Sequence, residues 1–338
     1  MTNTIDQIQN TKYKTLNTHY FLFSLLIGLL GYLCIGLFPA NAFAADFALG
    51  VYPPILQIQA TAPTIISKDI TVVNASQDTE NVSVTLRPFT ASGTNNGQVL
   101  YLPVGTKMLP DKDIFQKVQI LDGDTPISSL SLAPKQKKTL TLRIGLPKDE
   151  PGADYYFSVL FVSTDSVNQD ANGSHITAGI AANILLSIAP KDETTGLLNE
   201  FTTPWFAQTA PIPFTVSITN TSRHFITPTG QILIRNMFGQ LVGKVDLLSV
   251  NVLGNSTRFL TSKENAVDNN HPVALWNKNV LFGPYRANII VSLSPEGPLF
   301  TKTIYFFVMP WEYLLGFFLA VVILLIVIER VRHKMTHL

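Results

Sequence analysis

Asn81 to Arg87 reads NVSVTLR, with Val82, Val84 and Leu86 on one side of a two-residue period and Ser83, Thr85 and Arg87 on the other. Only an extended chain places residues i, i+2 and i+4 on one face, so this stretch is predicted to be a half-buried antiparallel strand. Thr139 to Ile144 (TLTLRI) repeats the arrangement, with Leu140, Leu142 and Ile144 opposed to Thr139, Thr141 and Arg143. Residues 155–162 (YYFSVLFV) and 184–188 (ILLSI) are apolar on nearly both faces, the pattern of central strands covered on both sides. Asp165 to Ser174 (DSVNQDANGS), between them, reads as a polar hairpin loop.

The pattern pauses at Pro190 to Gly196 (PKDETTG), a short charged segment that marks a domain boundary, and then restarts. In Pro213 to Thr219 (PFTVSIT), Phe214, Val216 and Ile218 alternate with Thr215, Ser217 and Thr219; further strands are predicted at 231–234, 240–245, 285–293 and 303–308. No stretch in either block reads as a long amphipathic helix. The blocks also rhyme: Val72-Val73-Asn74-Ala75-Ser76 corresponds to Ile218-Thr219-Asn220-Thr221-Ser222, and Gly152-Ala153-Asp154-Tyr155 to Gly283-Pro284-Tyr285. In each pair the asparagine closes an early strand with a turn, and the glycine-tyrosine signal opens a late one. The expected fold is all-β, two tandem Ig-like β-sandwiches over residues 45–192 and 196–309.

An apolar stretch lies near each end of the chain. Residues 1–20 are polar with Lys12 and Lys14, Phe21 to Phe38 is apolar, and Ala42-Phe43-Ala44 precedes Ala45 in a small-x-small pattern. This predicts a signal peptide over 1–44, cleaved after Ala44; an uncleaved signal anchor is the competing reading. At the other end Leu314 to Ile328 (LLGFFLAVVILLIVI) has no charged side chain, and from Trp311 to Ile328 a helix would be just long enough to cross a bilayer. Trp311 and Tyr313 suit the headgroup layer on one side, and Arg330, Arg332 and Lys334 the cytoplasmic side on the other. A transmembrane helix over 311–328 and a cytoplasmic basic tail over 329–338 are therefore expected, with the bulk of the chain outside the cell membrane.

Composition narrows the function. The net charge is +1 and charged residues make up 14%, so no global field points to nucleic acid. The single cysteine, Cys34, lies in the leader, which leaves the exported part without disulfides, thiolate zinc sites or thiol nucleophiles. None of the common hydrolase, metalloprotease or nucleotide-binding motifs occurs. The exported histidines, His175, His224 and His271, are far apart and read as solvated loop residues. Asp165, Asn168, Asp170 and Asn172 lack calcium-loop spacing, and Asp122-Gly123-Asp124 reads as a turn. Lys135, Lys137 and Lys138 form a small basic run, a solvated turn or a contact for anionic wall polymer. Five N-x-[ST] triplets, at Asn74, Asn81, Asn172, Asn220 and Asn255, are read as compositional.

Several short segments carry a resemblance: Phe47 to Pro54 (FALGVYPP), Asp69 to Ser76 (DITVVNAS), Phe89 to Tyr101 (FTASGTNNGQVLY), Leu132-Ala133-Pro134 with the strand after it, Gly239 to Val245 (GQLVGKV), Gly254-Asn255-Ser256 and Gly283-Pro284-Tyr285. In these, and in its order of segments, the chain resembles the WxL-interacting surface proteins of Gram-positive bacteria. It departs from them in lacking a Pro-Gly-Gln turn before Asp69 and in having Asp154 to Phe157 (DYYF) where a Gly-Gly-Ile segment is usual. The resemblance implies an Ig-like domain classed as peptidoglycan-binding, a second Ig-like domain, and as partners cell-wall polymer or another surface protein.

The expectation is thus a non-enzymatic surface module without cofactor or metal, with Thr94, Asn95, Asn96, Gln98 and Tyr101 as the ligand-contact loop or with strand addition at a sheet edge as the binding mode. Two other readings stand beside it. One is a scaffold or chaperone-like part of a surface assembly, favoured by an open sheet edge beside an apolar groove. The other is a hydrolase assembled from dispersed carboxylates such as Asp122, Asp124 and Asp165.

Overall fold

The structure is a computed structural model that describes residues 48–108, 113–164, 178–268, 271–278 and 281–335. The expected cleavage residues Ala42, Ala44 and Ala45, and the loop residues Asp165, Asn168, Asp170, Asn172 and His175, lie outside the described residues.

The first half of the chain is built from β1 (Leu49–Tyr52), β2 (Ile55–Thr61), β3 (Thr64–Asn74), β4 (Glu80–Ala91), β5 (Val99–Tyr101), β6 (Val118–Asp122), β7 (Thr125–Pro126), β8 (Ser129–Leu132), β9 (Lys137–Leu146), β10 (Asp154–Ser163) and β11 (Gly179–Ala189). They form one sheet in the order β1-β3-β9-β6-β7 and a second in the order β2-β11-β10-β4-β5, with β8 also on β4. The alternating side chains meet between these sheets: Leu140, Leu142 and Ile144 of β9 and Tyr155, Phe157, Val159 and Phe161 of β10 are wholly buried. Each such side chain contributes about 1.5–3 kcal/mol by leaving water.

Pro53-Pro54 divides what would otherwise be one N-terminal strand. Proline has no N–H to give a ladder. The chain breaks there and changes sheets, β1 running antiparallel to β3 while β2 runs parallel to β11.

The second half consists of β12 (Gly196–Thr202), β13 (Phe206–Ala207), β14 (Ile212–Asn220), β15 (Thr229–Asn236), β16 (Leu241–Leu247), β17 (Ser256–Leu260), β18 (Asn265–Asp268), β19 (His271–Trp276), β20 (Gly283–Ser292) and β21 (Leu299–Val308). One sheet has the order β12-β14-β19-β18 with β17 on β14, and the other β13-β21-β20-β15-β16. Their own core centres on Phe214, Ile232, Ile289, Trp276 and Phe306. The protein is therefore mostly β, with two successive sandwich-like cores.

Helix α1 (Trp311–Met335) follows β21 after two residues and runs past Ile328, where the apolar stretch ends, because the ERVRHKM segment contains neither proline nor glycine to stop it. Trp311–Arg330 is long and apolar enough to cross a membrane, and none of it is buried against the sandwiches.

Candidate functional site

The two halves repeat one buried hydrogen-bond device. Asn74, at the end of β3, donates from Nδ2 to the carbonyls of Asp78, Leu132 and Ala133 at 2.7, 3.1 and 3.1 Å, while its Oδ1 accepts from Ser76 N–H and Oγ. Asn220, at the end of β14, donates to the carbonyls of His224, Val252 and Leu253 at 2.7, 3.1 and 3.0 Å, and accepts from Ser222 in the same way. Both asparagines are fully buried, so these two N-x-S triplets are structural turns. The correspondence of Asn74-Ala75-Ser76 with Asn220-Thr221-Ser222 is one of geometry as well as letters.

The second turn delivers His224 and Phe225 to the first sandwich. Asp154, the first residue of β10, has Oδ1 2.6 Å from His224 Nδ1; its Oδ2 accepts from Phe225 N–H at 2.6 Å and from Tyr156 O–H at 2.9 Å. The Tyr156 hydroxyl also accepts from Gly254 N–H at 3.2 Å. Burial, reinforced by the Asp154 carboxylate, holds the Tyr156 phenol well above the ordinary tyrosine range. Around this polar centre Phe89, Leu185 and Phe225 form an apolar plug with Val99, Tyr101, Tyr156 and Leu253 packed against it. The plug accounts for the apolar character of YYFSVLFV and ILLSI on both faces: one face fills the first core, and Tyr156 and Leu185 on the other are covered by the second sandwich.

The expected ligand-contact loop borders this junction. The Asn95 carbonyl accepts from Phe259 N–H at 2.8 Å, and Asn95 and Gln98 line a small recess with Asn251 and Arg258 of the second sandwich. Arg258 packs against Gly97 and donates to the Asn251 carbonyl at 2.6 Å, and burial lowers its pKa. Thr94 and Asn96 are exposed but tied to each other, Thr94 Oγ1 donating to Asn96 Oδ1 at 2.7 Å. Tyr101 belongs to the plug, with the Arg87 guanidinium 5.9 Å from its ring centre.

Of the dispersed carboxylates, Asp165 lies outside the described residues, and Asp122 and Asp124 form no catalytic pair. Asp122 pairs with Lys138 at 2.6 Å, and Asp124 is exposed in the adjoining turn. The buried carboxylate of Glu150 is bound by Lys117 and by Tyr155 O–H. His224 is not a solvated loop residue, as its sequence context suggested, but a buried junction residue 6% exposed. Among the described residues no group of three His, Cys, Asp or Glu side chains is arranged to hold a metal ion. Trp311, Tyr313 and Arg330 are exposed on α1, and Arg332 and Lys334 lie in its last turns.

A cleft of about 1050 Å³ opens between the sandwiches, bordered by Gln57 and Gln59 of β2, by Lys191 to Gly196, by Thr227 and Thr229, and by Pro298 and Phe300. β2 ends its sheet, so one side of its backbone is free. The Pro54 carbonyl accepts from Asn183 N–H. By alternation, Leu56, Ile58 and Ala60 bond to β11, while Ile55, Gln57 and Gln59 direct their N–H and C=O groups away from it.

The other edges among the described residues are guarded. β12 and β16 each contain a register shift and charged residues, Glu200 in one and Lys244 with Asp246 in the other. β1, β5, β7, β8, β13 and β18 have four residues or fewer, and the five-residue β17 is covered at Phe259 by the Asn95 carbonyl. β2 reads ILQIQAT, seven residues with no charge, no proline and no register shift.

No family model and no curated protein matches the sequence. Solved structures of fimbrial chaperones are similar at a low level. A chain from a chaperone–tip adhesin complex of CFA/I fimbriae biogenesis shares 11% identity at a TM-score of 0.36, covering 76% of this chain and 98% of that one. The class 5 fimbriae chaperone CfaA shares 12% at 0.36 with the same coverage, and the E. coli chaperone DraB 9% at 0.34, again over 76% and 98%. At these scores the likeness says nothing of what this chain binds.

Proposed function

We propose that this protein is a membrane-anchored, protein-binding module of the cell surface, which holds an extended segment of another exported protein by adding it as a strand to the free edge of β2. A natural sheet leaves a long edge flat and uncharged at the risk of aggregation, and edges without an intended partner are shortened, bulged or charged. The single observation that carries the reading is that β2, among the described edge strands, has none of these guards. Main-chain hydrogen bonds would supply affinity, and the cleft beside Gln57 and Gln59 would sort the side chains that project toward the second sandwich. A scaffold or chaperone-like role fits this mode of capture. In this reading α1 crosses the membrane, with Arg330, Arg332 and Lys334 on the cytoplasmic side.

A photo-crosslinking amino acid at position 59 of the full chain, in the cell that makes it, tests the proposal. The expected product is a crosslink to an exported polypeptide, lost when Gln57→Pro removes one outward N–H from the edge. Crosslinking to wall polymer alone, released by a muramidase and free of polypeptide, would overturn it.

A further inference from the structure

The end of the second sandwich from which α1 departs is an apolar tip. Register places the ends of four strands there together: Gly283 opposite Val308, Phe206 opposite Phe307, and Asn236 opposite Tyr285, which is itself opposite Phe306. Trp205 belongs to this level, since its carbonyl accepts from Phe307 N–H. Met237 does too, its sulfur lying 4.0 Å from where a Cβ on Gly283 would sit. Trp205, Met237, Phe238 and Phe282 are 78%, 63%, 79% and 61% exposed, large apolar side chains concentrated on turns that solvent would ordinarily favour as polar.

We infer that this tip is seated in the lipid headgroup and glycerol layer, so that the second sandwich is fastened to the bilayer by its own surface as well as by α1. The inference rests on the membrane-spanning reading of α1. What selects lipid as the occupant is continuity: β21 ends at Val308 and α1 begins at Trp311, so a helix entering the bilayer brings the whole strand end to the interface. Charge follows the same order. Arg235 and Arg286 face each other across β15 and β20, and both guanidinium groups reach the tip turn, Arg235 donating to the Gly239 carbonyl at 3.1 Å and Arg286 lying beside Gly239. A tip seated in the headgroup layer, about 5–7 Å deep on each side of the hydrocarbon, therefore brings both guanidinium groups among lipid phosphates. Glu312, in the first turn of α1, is the acidic group nearest in sequence.

The three tryptophans make the test specific. Trp205 is in the tip, Trp311 opens α1, and Trp276 is buried in the second core and serves as an internal reference. The full chain is placed in nanodiscs of phosphatidylcholine and phosphatidylglycerol containing lipid brominated near the headgroup, as wild type, Trp205→Phe, Trp311→Phe and the double variant. In Trp311→Phe the emission in excess of the double variant, which is that of Trp205, is expected to be quenched as strongly as that of Trp311 in Trp205→Phe. Quenching of Trp311 with Trp205 unaffected would overturn the seated tip and leave the anchor standing. Quenching of neither would overturn the anchor and the tip together.

Discussion

Asp154 and His224 meet across the two sandwiches with Oδ1 and Nδ1 2.6 Å apart, their side chains only 1% and 7% exposed. The same carboxylate satisfies Phe225 N–H and Tyr156 O–H, so one side chain holds three groups. Removing a buried acceptor typically costs ~1–3 kcal/mol for each donor that is left without a partner. Asp154→Asn is therefore expected to destabilise the junction and to split unfolding into two transitions. Thermal unfolding of the detergent-solubilised chain, followed by near-ultraviolet circular dichroism, checks this; a single unshifted transition would show that the junction does not couple the halves.

Asn74 and Asn220 do the same work in the two halves, but only Asn220 holds the turn that carries His224. Each alanine substitution takes one donor from three buried or half-buried carbonyls, most of which keep a second, and removes the acceptor of the serine two residues on, at about 1–3 kcal/mol for each group that finds no substitute. Asn220→Ala and Asp154→Asn should be non-additive because they loosen one contact, whereas Asn74→Ala and Asp154→Asn should add. A double-mutant cycle on denaturant midpoints distinguishes the two pairs.

How much of this was legible in the sequence depended on range. The strand faces of β4, β9 and β14 follow from period two, and the Asn-x-Ser repeat pointed to a duplicated turn because its hydrogen bonds begin within four residues. The junction was not legible: Asp154 and His224 are 70 residues apart, and each alone resembles an ordinary polar residue at a strand end. A trace existed in the doubled apolar character of Tyr156 and Leu185, which says that something covers the second face but not what. β17 and β19 were missed because STRFL and HPVALW are short and weakly alternating. β2 was hidden because Pro53, Pro54 and Pro63 make ILQIQAT look like a connection between turns.

The tyrosines predict how the protein responds to alkali. The Tyr156 phenol is raised by burial and then by Asp154, against a smaller lowering by Gly254 N–H; that of Tyr155 is raised by burial and then by Glu150. Both are raised in the folded state relative to about 10 in the unfolded chain, so their contribution is fully present below pH 10 and is lost as the pH climbs toward the folded values. Over that window stability should fall by about 1.4 kcal/mol per pH unit for Tyr156. Tyr156→Phe should flatten the fall between pH 10 and 11.5 in urea titrations while leaving the pH 7 to 9 region parallel to wild type.

The unguarded edge of β2 has a consequence even without a partner. The outward N–H and C=O groups of Gln57 and Gln59 pair with no other strand among the described residues, and a second copy of the same edge offers matching groups. Concentrated protein should therefore pair weakly through β2, as unguarded edges do. Placing lysine at either position would set like charges near each other across such a pair and oppose it. Analytical ultracentrifugation of the detergent-solubilised chain should show concentration-dependent dimers that Gln59→Lys removes. Lys244→Gln on the bulged edge of β16 should leave them unchanged, because the register shift there already prevents continuous pairing. Dimers that persist in Gln59→Lys would place the association at another surface and would weaken the case for β2 as the point of capture.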